Sequence, residues 1–350
     1  MNKKLLIIII VVLALVLFSS LYFFFARSKT PPSAQELLQS EQAANTGPRS
    51  VIAEPVISPI LSFKGDKVWY FTSSGKLLSR TLNGGATEQF TLPKNIDNLV
   101  RAIWPVKTSD FIVEQNVGGH TSYQFYNSQK HAFIEYPGEL RVPVFLASGN
   151  QIVYDWTAAS TTHELKISNA DGSGFKKITG LFRPDYLLAA SPVKNQVVVF
   201  SGDAGSPANL FVVDLLSGTV QDLAKKAAYQ DARFSPDGTR LLASQITDLG
   251  PVLKIFDLAA TASSTAASVE STPFAVNASR AVWRQNGSAV IVADKDGFHD
   301  YDLAARKDTL FYRLKTGDKF IAQDLFLSAD EQTLFFSDEN SGNLYSLKMP

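Results

Sequence analysis

Seven stretches of this 350-residue chain share one grammar at a spacing near 44 residues, and that spacing constrains the fold more than any single motif does. Each stretch has an apolar anchor, four polar or small residues, and an apolar run that starts seven positions after the anchor. The units are Leu61…Val68-Trp-Tyr-Phe71, Trp104…Phe111-Ile-Val113, Phe145…Ile152-Val-Tyr154, Ala190…Val197-Val-Val-Phe200, Phe234…Leu241, Trp283…Val290-Ile-Val292 and Leu327…Leu334-Phe-Phe336. The anchors are 43, 41, 45, 44, 49 and 44 residues apart. A unit of this length cannot bury its apolar face alone and must stack on its neighbours. The period matches a four-stranded propeller blade.

The clearest unit is Ala232-Arg-Phe234-Ser-Pro-Asp-Gly238-Thr-Arg-Leu-Leu-Ala-Ser244. It predicts a strand, a tight Pro-Asp-Gly turn and a second strand. Leu241 and Ala243 fall on one face of that second strand, Leu242 and Ser244 on the other. Third strands follow at Asn209–Asp214, Leu253–Asp257 and Asn343–Leu347. Fourth strands follow at Thr219–Leu223 and Lys176–Thr179. No long amphipathic helix separates the units, which argues against a parallel α/β sheet. The widest spacing is explained by the Ser/Thr/Ala-rich stretch 259–273, expected to be an excursion between the outer strands of blade five. The last unit stops at Pro350 after its third strand. Residues 50–57 are expected to complete it from the N-terminal side, with Pro55 on an outermost strand. The fold class is therefore all-β: a seven-bladed propeller over 50–350.

The Phe234-Ser-Pro-Asp-Gly238 segment, with Ser191-Pro192 and the Phe/Trp anchors, resembles the TolB-type, WD-like propeller repeat. The likeness extends over about 61–350 and is close only in the fifth unit. It implies a six- or seven-bladed propeller that binds a partner. The separate N-terminal α/β domain of TolB is not seen here, so TolB's own partners are not carried over. The same repeat occurs in the propeller of prolyl-oligopeptidase-type peptidases, whose α/β-hydrolase domain has no room in this chain.

Ahead of the repeats, Leu5 to Phe25 is a run of 21 residues without a charge. As a helix it measures about 32 Å, one hydrocarbon core. Lys3 and Lys4 precede it, and Arg27 and Lys29 follow it. The reading is an uncleaved single-pass anchor over 1–26 with the N-terminus inside, and a stalk over 27–49. The rival, a cleaved signal peptide, needs a shorter apolar core and small residues at its cut site, whereas this run ends in Phe23-Phe24-Phe25-Ala26-Arg27. The propeller is thus expected on the extracytoplasmic side of a cell membrane. The chain has no cysteine, so disulfides, thiolate metal sites and a lipid-modified cysteine are excluded. Residues 31–350 hold 29 basic against 33 acidic groups, which does not favour a nucleic-acid partner.

Catalytic motifs are absent. His163-Glu-Leu-Lys-Ile167 lacks the second histidine of a zinc-binding helix, and neither a nucleophile elbow nor a phosphate loop occurs. His120, His131, His163 and His299 read as surface or loop residues, and no cofactor is expected. Asp294-Lys-Asp296-Gly297 is a weak calcium candidate, because an EF-hand needs a glutamate where Ala305 stands; a hairpin turn is the simpler account. Repeat arithmetic supplies the better constellation. Three residues before the anchors stand Ser58, Arg101, Val142, Leu187, Asp231, Arg280 and Asp324. First strands line a propeller's channel, so these positions form a ring. Arg101, Asp231, Arg280 and Asp324 are its charged members, serving either as ion pairs between blades or as a polar rim for a peptide or partner. Trp156 is a candidate for stacking on a sugar or peptide. The expected function is a binding scaffold or adaptor for an envelope protein or peptide. A glycan-acting hydrolase or lyase and a small-ligand sensor are the alternatives. A reporter fused after residue 30 is expected to be active only outside the cytoplasm; cytoplasmic activity overturns this orientation.

Overall fold

The computed structural model describes residues 47–350, apart from 83–84, 160–161, 182, 184–185, 204–207 and 259–267. These residues form seven four-stranded antiparallel sheets. Blades one to six take their strands in chain order, at 56–90, 99–135, 140–181, 186–227, 229–271 and 281–313. Each anchor ends the first strand of its blade or directly follows it, and each apolar run is the second strand. The residue types explain the order. A second strand lies between two neighbouring blades and is buried on both faces, so it reads as an unbroken apolar run. In β15 (Gln196–Ser201), Val197 and Val199 pack towards blade three, while Val198 and Phe200 pack towards blade five. In β19 (Arg240–Thr247), Leu241 and Ala243 face blade four and Leu242 faces blade six.

The core is accordingly divided into seven clusters, one at each junction between adjacent blades. Anchor tryptophans add hydrogen bonds across two junctions. Trp104 Nε1 donates to the Ser58 carbonyl at 2.8 Å, and Trp283 Nε1 donates to the Arg233 carbonyl at 3.2 Å. The Pro-Asp-Gly turn is held by its own polar groups. The Ser235 hydroxyl donates to Asp237 at 2.6 Å, the same carboxylate accepts the Thr239 amide at 3.0 Å, and Gly238 takes φ +65°. Serine and aspartate repeat this bond in blade seven, Ser328 to Asp330 at 2.6 Å, which holds the Asp330 carboxyl below its usual range.

Blade seven contains β26 (Ala322–Leu327), β27 (Thr333–Asp338) and β28 (Leu344–Lys348), and its fourth strand is β1 (Arg49–Ile52). The closing strand is therefore shorter than the segment 50–57. Val56 and Ile57 already belong to β2 (Val56–Leu61), the first strand of blade one, and Pro55 lies in the turn between the two strands. That turn is pinned by the Val56 amide, which donates to the Gly342 carbonyl at 2.9 Å. Gly342, at φ +71°, leaves no room for a side chain: a Cβ there would sit 2.9 Å from Pro55 Cβ. The stretch 259–273 also divides. Ser268–Ser271 is the outermost strand of blade five, and 259–267 lies outside the described residues. The anchor and most of the stalk, residues 1–46, lie outside them too, and among the described residues no helix is long and apolar enough to cross a membrane.

Ile52 is 1% exposed and joins the junction between blades seven and one. Ile52→Ala is expected to lower stability by about 2–5 kcal/mol, measured by chemical denaturation. A loss below about 0.5 kcal/mol contradicts closure by this strand.

Candidate functional site

First strands face the channel, and their backbones are irregular there. Blades one, two, three, five and seven each carry a bulge, between Ile57 and Ile60, Leu99 and Arg101, Arg141 and Val144, Tyr229 and Ala232, and Gln323 and Phe326. A bulge re-aims the side chains beside it and is common next to binding sites. Ser58, Val142 and Asp324 sit at these bulges with φ of +50°, +43° and +50°. For Val142, a β-branched residue, this is a costly conformation that the surrounding strands must enforce.

The channel holds two cavities of about 470 and 390 Å³, whose linings share Arg101, Arg233 and Asp324. Ser58 lines the first; Val142, Leu187 and Asp231 line the second. Six of the seven ring positions thus reach the channel. Arg101 donates to Glu114 at 2.7 Å, and Glu114 is itself largely shielded from solvent. Burial first, and then the Glu114 charge, pushes the neighbouring Tyr123 hydroxyl up to about 12, so it stays neutral. Arg233 stands 3.5 Å from Asp231. Asp324 accepts the Ser337 hydroxyl at 3.1 Å and is in no ion pair among the described residues. Asn277 also lines the second cavity, and its side-chain oxygen is buried without a hydrogen-bond partner. Ser58 is structural: its hydroxyl accepts the Ala102 amide of blade two at 2.9 Å.

Arg280 is the exception. It ends a one-turn 3-10 helix, Ala278–Arg280, which stands where the regular strand alternation would have begun. The helical turn swings its guanidinium out of the channel to Glu339 of blade seven at 2.8 Å. The arginine that joins Arg101 in the channel is Arg233, which ring arithmetic missed because it sits one residue before its anchor, not three. The signal was present. The other six residues at that position are Ile60, Ile103, Val144, Ala189, Val282 and Phe326, so Arg233 alone carries a charge.

The remaining candidates lie elsewhere. Trp156 is inside β11 (Gln151–Ala159), partly buried, with Lys166 Nζ over its ring at 4.4 Å. One face of the indole is therefore covered. Asp294 closes a turn by accepting the amides of Asp296 at 2.7 Å and Gly297 at 3.1 Å, and Asp296 pairs with Lys295 at 3.0 Å. Among the described residues no group of three or more His, Cys, Asp or Glu is placed to hold a metal ion. Two histidines are not surface residues. His163 Nδ1 lies 2.9 Å from Asp155 and both are buried, and burial pushes the Asp155 carboxyl up against the pull of that hydrogen bond. His299 sits between Asp308 at 2.9 Å and Asp294 at 3.1 Å. Neither pair lines the channel.

The Arg280–Glu339 pair is partly solvated, so Arg280→Ala is expected to cost no more than about 1 kcal/mol in denaturant unfolding. A loss of several kcal/mol would mean that this pair fixes the order of the blades.

No family model matches this chain, and no curated protein matches it in sequence. Solved structures do. An oligogalacturonate lyase in complex with manganese is similar at TM-score 0.62 and 11% identity, over 86% of this chain and 90% of that one. The Cps50 (Swd1) β-propeller domain of Myceliophteria thermophila is similar at TM-score 0.61 and 10% identity, over 86% and 99%. At these identities the likeness shows the fold, a seven-bladed propeller.

Proposed function

We propose that the chain is a membrane-anchored scaffold or adaptor of the cell envelope, held by residues 5–25. Its propeller stands on the extracytoplasmic side and binds a protein or peptide in the channel. One observation carries this reading. Arg101, Arg233, Asp231 and Asp324 converge on one channel, with an unpartnered amide oxygen on Asn277. A buried acceptor without a partner costs about 1–3 kcal/mol unless something supplies a donor. Asp324 offers a carboxylate to a basic group, and Arg101 and Arg233 offer forked donors to a carboxylate. A peptide carries both kinds of group. The rigid ring presents these residues with little rearrangement. The TolB-type likeness of Phe234-Ser-Pro-Asp-Gly238 and the propeller domain among the structural neighbours agree with a binding role.

A second reading rests on the same cavity. Asp231 and Asp324 both line it, and a pair of carboxylates facing one space is what a glycan-acting hydrolase needs. The lyase among the structural neighbours shows that this scaffold accommodates carbohydrate chemistry in another protein.

In-cell crosslinking and pull-down of the parent, beside an Arg101→Ala/Arg233→Ala/Asp324→Ala variant with verified folding, separates these readings. The adaptor predicts one recurrent partner, with recovery falling by more than about tenfold in the variant. Equal recovery by both proteins removes the channel from the binding role. No partner for either, together with turnover of an oligosaccharide that Asp324→Asn abolishes, favours the enzyme.

A further inference from the structure

Successive strands of a blade run antiparallel. The turns after first and third strands therefore lie on one face of the ring, and the turns after second and fourth strands on the other. On the former face, blades one to four each present an apolar residue followed directly by a lysine. These are Phe63-Lys64, Val106-Lys107 and Val193-Lys194 after the first strands, and Phe175-Lys176 after a third strand. Phe63 is 83% exposed, Phe175 68%, and Val106 and Val193 58% each. None of the four lysines is in an ion pair among the described residues. The nearby carboxylates are engaged by their own turns, Asp66 with Ser62 at 2.6 Å and Asp171 with Ser173 at 2.6 Å. Between the Phe63 and Val106 turns lies a groove of about 440 Å³ lined by Trp69 and Trp104. The pattern stops at blade five, where the corresponding turns read Asp237-Gly238, Asn286-Gly287 and Asp330-Glu331. The turns of the opposite face mix both signs, with Glu54, Asp97, Glu139, Asp248, Asp296 and Glu339 exposed beside Lys76, Lys94, Lys295, Lys315 and Lys319, and they do not repeat the exposed apolar-lysine pair.

The chain also joins the propeller on the apolar, lysine-bearing face. β28 is a third strand and ends there, so its antiparallel partner β1 starts there, at Arg49. Between Phe25 and Arg49 the chain reaches at most about 86 Å even when fully extended. We propose that this sector of blades one to four docks on an anionic lipid bilayer. Phe63, Val106 and Phe175 enter the boundary between headgroups and acyl chains, and the lysines meet lipid phosphates. Apolar side chains flanked by lysine suit that boundary, where apolar burial and attraction to anionic lipid add. The inference rests on the anchored reading of residues 5–25. It turns the opposite face, and the channel mouth where the first strands begin, away from the membrane.

The test uses the full chain in lipid nanodiscs. The sequence has no cysteine, so single labels can be placed through Phe63→Cys, Val106→Cys, Phe175→Cys and, on the far face, Leu249→Cys. A quencher carried on the lipid reads each position. Docking predicts quenching at 63, 106 and 175 at least about threefold above that at 249 in discs containing phosphatidylglycerol. Each lysine near an anionic surface changes partitioning by roughly fivefold. A Lys64→Glu/Lys107→Glu/Lys176→Glu variant should therefore lose the docked population more than tenfold while staying in the disc. Equal quenching at 63 and 249 with the chain in the disc overturns docking and leaves the anchor standing. A chain that does not enter the disc overturns both. Protection of position 63 that follows protein concentration, not lipid, assigns the face to a second copy and also overturns the proposal.

Discussion

Everything in this molecule depends on burying both faces of each blade's second strand. A single blade cannot do this, because one sheet offers each strand two faces and covers neither. The cover comes from the next blade on either side, as β15 shows with Val197 and Val199 on one junction and Val198 and Phe200 on the other. Such an arrangement has no natural end until it closes. Closure is achieved by β1, which pairs with β28 through Arg49↔Ser346, Ser50↔Tyr345 and Ile52↔Leu344. Four residues from the N-terminal side thus complete a sheet whose other three strands are the last in the chain.

The same constraint explains what could be read from the amino-acid sequence. Second strands buried on both faces are unbroken apolar runs, and turns after anchors need small or polar residues. Their recurrence exposes blade number and strand order directly. The ends of elements were less visible. Nothing in Ser50 to Ile57 marks where the closing strand stops, because the turn at Pro55 is set by its approach to Gly342, nearly three hundred residues away.

The channel was legible where a first strand runs through the ring position, even where that strand bulges. Arg101, Asp231 and Asp324 were found because first strands hold them towards the axis. Arg280 was misplaced because a helical turn, Ala278–Arg280, stands there in place of a strand. Arg233 was overlooked, although it is the one charge among seven otherwise apolar positions. The buried pairing of His163 with Asp155 depends on cross-strand register between β11 and β12 (Thr162–Asn169), which short-range pattern does not specify.

The two faces of the ring differ in chemistry, and the channel between them gathers charge of both signs around an unpartnered acceptor. Binding of a partner in this channel is the central proposal. Hydrogen exchange of the full chain in lipid nanodiscs, with and without a partner recovered by crosslinking, tests that proposal most directly. Binding in the channel predicts slowed exchange in the first strands, at Val56–Leu61, Leu99–Ile103, Tyr229–Phe234 and Ala322–Leu327. Slowing confined to the outer strands, with the first strands unchanged, contradicts it.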